Sequence, residues 1–326
     1  MPRLLFLLFT LLAVSCSKDI SIDDYEPVTA DRFKVTVAGN EVSVVRHYVS
    51  NHDLEVTMGA CGANDLVQIK QITYIRNASQ TIADTGTAGL RYVSYSDWVG
   101  PYWMEAVANG NDNSGFTGGW HGYDGDFSGS ATARTTRVTT VIDGQPVGED
   151  CQNLTCRDIH VVVENLLQAG NTKQRDGRGR EVLRETVDYH FHADTISVSV
   201  SSEALEDLVI QNYYGLQSCF GGTVRMVARD TTYTFANDGY HGPLQRILAA
   251  ECTRPDGHQV RCLLDNVGLG TQHRYNLCPT EPERQYCFTS PYDKTYFRLV
   301  GEVGLPLSKG QTVFWSGAYI FREKRR

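Results

Sequence analysis

A mainly antiparallel all-β fold, a large β-sandwich or supersandwich with few short helices, is what this 326-residue sequence predicts. Apolar residues recur at every second position in several separate segments, tight-turn pairs fall between those segments, and helical periodicity is sparse. Phe33, Val35 and Val37 alternate with polar residues, Gly39-Asn40 supplies a turn, and Val42 and Val44 resume the pattern, which makes a hairpin. Val138 to Ile142 leads into Asp143-Gly144, a favoured type I′ pair, and Pro146 confines the returning strand to a sheet edge because it cannot donate to a ladder. Ile159, Val161 and Val163 alternate again.

The clearest hairpin runs from Leu183 to Ser201. Val187, Tyr189 and Phe191 face one way, and Arg184, Thr186, Asp188, His190 and His192 the other; Ala193-Asp194 turns the chain, and Ile196, Val198 and Val200 return on the apolar side. Helix is expected only around Glu203 to Leu208 and Trp103 to Ala108. Asn109 to Ser130 contains seven glycines and six Asn or Asp residues and reads as a long surface loop. Its aromatic residues Phe116, Trp120, Tyr123 and Phe127 give it a functional cast, since large rings are costly to expose without purpose.

The amino terminus points to export. Met1-Pro2-Arg3 precedes an apolar run from Leu4 to Val14 that only Thr10 interrupts, too short to cross a hydrocarbon core of about 30 Å as a helix. Leu12-Ala13-Val14-Ser15-Cys16 resembles the lipobox of bacterial lipoproteins, with Ala13 where leucine is usual. Residues 1–15 therefore read as a signal peptide, and the resemblance implies lipidation of Cys16, a polar tether over 16–30 and a lipid anchor in a cell-envelope membrane. No linker rich in proline, glycine or serine divides the rest, so 31–326 is expected to form a single large β domain.

Eight cysteines remain beyond Cys16, an even number suited to an oxidising compartment. Cys151 with Cys156, Cys252 with Cys262 and Cys278 with Cys287 are local disulfide candidates, leaving Cys61 for Cys219. Zinc competes poorly, because no Cys-x-x-Cys pair or His-Cys cluster with ligand spacing occurs, so no metal is expected from these residues. Asp124 to Gly129 resembles the opening of a calcium loop, but Thr135 stands where the closing glutamate belongs. The net charge of −8 offers no field for nucleic acid.

Two strings place a histidine beside a ring on a glycine-flanked turn: Gly119-Trp120-His121-Gly122-Tyr123 and Gly239-Tyr240-His241-Gly242. Imidazole is the natural acid or base near neutral pH, and aromatic faces stack on sugar rings. His121, His241, His190 and His192 are therefore acid–base candidates, with Tyr123 as a proton donor. Trp120 and Tyr240 are candidates for stacking on a glycan. Arg178, Arg180 and Arg184 could take a substrate carboxylate. A G-x-S-x-G elbow, a G-x-G-x-x-G turn and a P-loop are all missing, which removes the usual esterase and nucleotide signatures.

Tyr296-Phe297-Arg298-Leu299, Leu307 to Gln311 and Tyr319-Ile320-Phe321 resemble the closing strands of galactose-mutarotase-like supersandwich proteins, and Tyr213 to Gln217 is compatible with them. In that group a histidine followed two residues later by tyrosine serves the sugar site, which His121 and Tyr123 match. The asparagine-rich epimerase motif is absent. Polysaccharide lyases share this type of sandwich, so the resemblance implies a glycan partner and either lyase-like catalysis or glycan or protein binding without catalysis.

Overall fold

The computed structural model describes residues 32–49, 51–93, 97–124, 128–148, 150–220, 223–228, 232–235, 247–265, 269, 286–289, 294–301 and 304–323. Cys16, Cys278, Tyr240, His241 and the stretches 1–15 and 16–30 lie outside them, as do residues 125–127 of the calcium-like string. No helix among the described residues is long and apolar enough to cross a membrane.

The first strands are β1 (Phe33–Ala38), β2 (Glu41–Val49), β3 (His52–Cys61), β4 (Leu66–Arg76), β5 (Leu90–Val93), β6 (Tyr102–Ala106), β7 (Phe116–Thr117) and β8 (Ala133–Ile142). There follow β9 (Gln145–Pro146), β10 (Asp150–Cys156), β11 (Ile159–Gln168), β12 (Glu181–His192), β13 (Thr195–Ala204), β14 (Leu208–Tyr213) and β15 (Gln217–Ser218). The last are β16 (Thr223–Ala228), β17 (Thr232–Phe235), β18 (Ile247–Thr253), β19 (His258–Leu264), β20 (Tyr286–Thr289), β21 (Thr295–Arg298), β22 (Leu305–Leu307) and β23 (Thr312–Glu323).

They form a ten-stranded sheet in the order β17-β16-β18-β19-β23-β13-β12-β11-β8-β9 and a six-stranded sheet in the order β10-β1-β2-β3-β4-β5. Smaller sheets are β22-β14-β6-β7 and β15-β21-β20. The antiparallel all-β expectation is borne out, and buried residues of both large sheets belong to one hydrophobic core.

The alternation of β12 and β13 holds residue by residue. Val187 pairs with Val200, Tyr189 with Val198 and Phe191 with Ile196 on the buried face, while Asp188 meets Ser199 and His190 meets Ser197 on the other. Asp143 and Gly144 both have positive φ, 47° and 77°, as a type I′ turn demands, and Pro146 lies on the edge strand β9. Both helix expectations fail. Residues 102–106 form β6, burying Tyr102, Met104 and Ala106 with period two, and β13 continues to Ala204 before β14 starts at Leu208. The helical element among the described residues is the single 3-10 turn Gly170–Thr172.

The disulfide expectation is not met for the cysteines whose side chains are described: Cys61, Cys151, Cys156, Cys219, Cys252 and Cys262 are thiols. Cys151 lies opposite Val37 and Cys156 opposite Phe33, so they sit at the two ends of β10, roughly 13 Å apart at about 3.3 Å per residue. That exceeds the Cα reach of a disulfide, about 7 Å. Cys262 faces Ala250 while Cys252 faces Val260, a diagonal placement that is also too wide.

A polar thread crosses the core. Trp315 Nε1 donates to Tyr213 Oη at 2.8 Å, and Tyr213 stacks on Tyr102 with centroids 3.9 Å apart. Tyr102 Oη donates to Glu185 at 2.8 Å, Asn165 Nδ2 donates to the same carboxylate at 3.0 Å, and Thr135 Oγ1 donates to Asn165 Oδ1 at 2.8 Å while accepting the amide of Val67. The thread joins β23, β14, β6, β12, β11, β8 and β4. Burial pushes the Glu185 carboxyl above the ordinary glutamate range, against the pull of the Asn165 and Tyr102 hydrogen bonds.

A carboxyl raised by folding favours the native state at low pH, and that contribution is lost as pH rises through the folded value. Glu185→Gln, which cannot ionise, is therefore expected to gain stability relative to the natural chain as pH rises above the ordinary glutamate range towards the raised folded value. Urea midpoints of both proteins across that range provide the check, and a constant difference would exclude the proposed linkage.

Candidate functional site

The turn bearing His121 is held more firmly than its glycine content suggests. Gly118 and Gly119 have positive φ, 75° and 52°, and a Cβ on Gly119 would collide with Asp97 Oδ1. Buried Asn64 is the clamp: its Nδ2 donates to the carbonyls of Gly119 (3.1 Å) and His121 (2.9 Å), and its Oδ1 accepts the amides of Thr132 (2.7 Å) and Ala133 (3.1 Å). Thr132 Oγ1 donates to His121 O at 2.5 Å, and the Trp120 amide donates to Asp97 Oδ1 at 2.7 Å. The segment 109–130 is thus partly ordered, through β7 and the bridges Gly118–His121 and Gly122–Ala131.

Asp97 is the electrostatic centre. Its second oxygen accepts from Lys294 Nζ at 2.6 Å and lies 3.9 Å from His121 Nε2; the Asp97 and Lys294 side chains are 2% and 13% exposed. Burial works against the charge on Lys294, but the Asp97 carboxylate and its hydrogen bond outweigh it, so the ammonium is held above the ordinary lysine range. Burial lifts the nearby Cys219 thiol to about 12, which keeps it protonated and unreactive at neutral pH.

An aromatic wall completes the site. Phe116 lies 5.5 Å from the His121 ring and stacks on Tyr214 at 5.3 Å; Tyr214 meets Tyr296 at 5.0 Å, and Trp103 abuts Phe116 at 5.7 Å. These four rings are half-buried, and Tyr296 is close enough to Lys294 to bear on its charge. Asp97, Lys294, Tyr296, Tyr214, Phe116 and His121 therefore close a circuit of carboxylate, ammonium, three rings and an imidazole. Such a surface can stack on an apolar sugar face, hydrogen-bond its hydroxyls and exchange a proton.

Other candidates lie elsewhere. Tyr123 turns its hydroxyl to Ala169 O at 3.3 Å, burial raises its pKa, and Lys173 sits over its ring. Arg180 pairs with Glu206 at 3.0 Å and donates to the carbonyls of Ala108 and Asn109; Arg184 pairs with Glu203 at 2.6 Å; Arg178 is exposed on the hairpin tip. Asp124, from the calcium-like string, pairs with Lys173 at 3.1 Å. His190 and His192 lie on the outer face of the ten-stranded sheet, with Arg184 roughly 20–26 Å along the same strand at about 3.3 Å per residue. Sequence reasoning overlooked Asp97 and Lys294, which are isolated in sequence and bear no motif.

No protein-family model and no curated protein sequence matches the chain. Among solved structures it is similar to the galactosidase domain of an α-galactosidase–sucrose kinase, at 11% identity and a TM-score of 0.46, over 89% of this chain and 42% of that one. It is also similar to galactose 1-epimerase from Lactobacillus acidophilus NCFM, at 8% identity and a TM-score of 0.32, over 91% of this chain and 99% of that one. This chain thus spans less than half the length of the first. At TM-scores below 0.5 neither likeness bears on fold or chemistry.

Proposed function

We propose that this protein is an envelope lipoprotein, tethered through Cys16, that binds a glycan on the aromatic wall of Phe116, Tyr214 and Tyr296 and acts on it with His121 as general base. The observation that carries this is the closed circuit of half-buried rings and titratable groups around Asp97. A sugar lying on the rings would present a C–H or O–H to His121, and the Asp97 carboxylate, 3.9 Å from Nε2, would favour the imidazolium formed on proton transfer. With a uronic-acid polymer the reaction would be β-elimination. His121 takes the C5 proton, the electron pair forms the 4,5 double bond, and the 4-oxygen leaves with a proton from solvent or a neighbouring acid.

A binding-only role has its own support: Asp97 is already engaged by Lys294 and the Trp120 amide, so the pair is balanced before any substrate arrives. Ultraviolet absorbance of unsaturated products over a panel of polysaccharides, alongside affinity electrophoresis, separates the two. His121→Ala should lose product formation by about 100-fold or more while still being retarded by the glycan. Unchanged turnover in that variant removes His121 as the base. Retardation without product from the natural chain selects the binding role.

A further inference from the structure

The outer face of the ten-stranded sheet carries a second constellation that the proposed glycan site does not use. His160 on β11 and His190 on β12 are directly paired across the strands, their rings stacked at 3.9 Å and 9°. Both turn Nε2 toward Asp158, at 3.6 Å from Oδ1 for His160 and 2.5 Å from Oδ2 for His190. One ligand atom from each of the three residues falls within 4.8 Å of the others. Their side chains are 30–41% exposed, so an ion can reach them from solvent.

Two supports set this apart from an ordinary polar strand face. The Asp188 carboxylate takes His160 Nδ1 at 3.0 and 3.1 Å, which leaves Nε2 as the outward lone pair, the carboxylate–histidine arrangement that orients metal-bound imidazoles. Asp158 is fixed by the type I′ turn: Asp143 Oδ1 accepts the amides of Arg157 and Asp158, and the Asp143 amide donates to Asp158 O at 2.9 Å. His192 flanks the group at 4.6 Å from the His190 ring, its Nε2 engaged with Ser197 Oγ at 2.9 Å.

The geometry points to a surface site for one divalent transition ion of the zinc class, with Asp158, His160 and His190 as ligands, Asp188 orienting His160, and water completing the shell. Two imidazoles and one carboxylate suit zinc, cobalt or nickel and leave the open position of a non-structural site, whereas calcium and magnesium prefer all-oxygen shells. The ion would take the place of the direct contact between Asp158 and His190. The site lies at the Ile159 end of β11, whereas the His121 turn packs Gly118 against Leu167, eight residues or about 26 Å along the strand at 3.3 Å per residue. The two sites can therefore be tested independently.

The test is zinc titration by calorimetry of the chelator-stripped full-length protein, with the visible spectrum of added cobalt as a reporter of ligand geometry. One equivalent of zinc is expected, together with intense cobalt bands. His190→Gln should weaken binding at least 100-fold, and Asp188→Asn, which touches only the far side of His160, by about 10- to 100-fold. His52→Gln, elsewhere on the surface, should match the natural chain, and circular dichroism confirms that each variant is folded. Absence of a stoichiometric site, or equal affinity in a folded His160→Gln/His190→Gln double variant, overturns the assignment.

Discussion

Asp97→Ala is expected to destabilise the protein by about 3–5 kcal/mol and to abolish glycan retention. The substitution removes the partner of Lys294, which is buried and whose charge folding reinforces, and leaves an uncompensated ammonium in the interior. It also frees the Trp120 amide, so the turn presenting His121 loses an anchor. Thermal unfolding should fall by about 10 °C for a chain of this size. Asp97→Asn separates the two effects: its side-chain oxygen can still accept from Trp120, so the turn stays in place while the ion pair is lost. Asp97→Ala within 1 kcal/mol of the natural chain would show that the pair contributes little.

Trp315→Ala should cost a similar 3–5 kcal/mol for a different reason. Trp315 is fully buried on β23, and its loss leaves a large cavity. It also takes one hydrogen bond from the Tyr213 hydroxyl, leaving that group only its Tyr102 side of the polar thread that runs on to Glu185. Trp315→Phe fills most of the volume without the donor, so the difference between the two variants isolates the packing contribution. Urea unfolding of both provides the measurement, and equal midpoints for natural and Trp315→Ala proteins would contradict the burial argument.

Strands whose faces differ in polarity were legible because period two survives in the sequence. Tyr189 and Val198 announce a buried face, and Asp143-Gly144 announces the turn that ends β8. β6 was misread because Trp103, Ala106 and Val107 fall at i, i+3 and i+4, a helical spacing, in a segment too short for its period-two alternation to decide. Half of the candidate site was legible, since glycines around Trp120 and His121 mark a turn that presents side chains. Asp97, Lys294 and Tyr296 were not, because pairing between residues separated by nearly two hundred positions leaves no local trace. His160 stands on the polar side of a recognisable strand, but its register against His190 depends on a loop whose geometry the sequence does not specify.

The position of β23 has a consequence for how the chain reaches its native state. It follows every other described strand, yet it sits inside the ten-stranded sheet between β13 and β19, pairing Val200 with Trp315 and Cys262 with Tyr319. A chain emerging from its amino end must therefore hold two hydrogen-bonding edges unpaired until β23 arrives. Those edges would recruit foreign strands if they met them first, and such distant pairings form slowly. Folding of this chain therefore depends on keeping the polypeptide apart from its copies until the carboxy-terminal strand is in place.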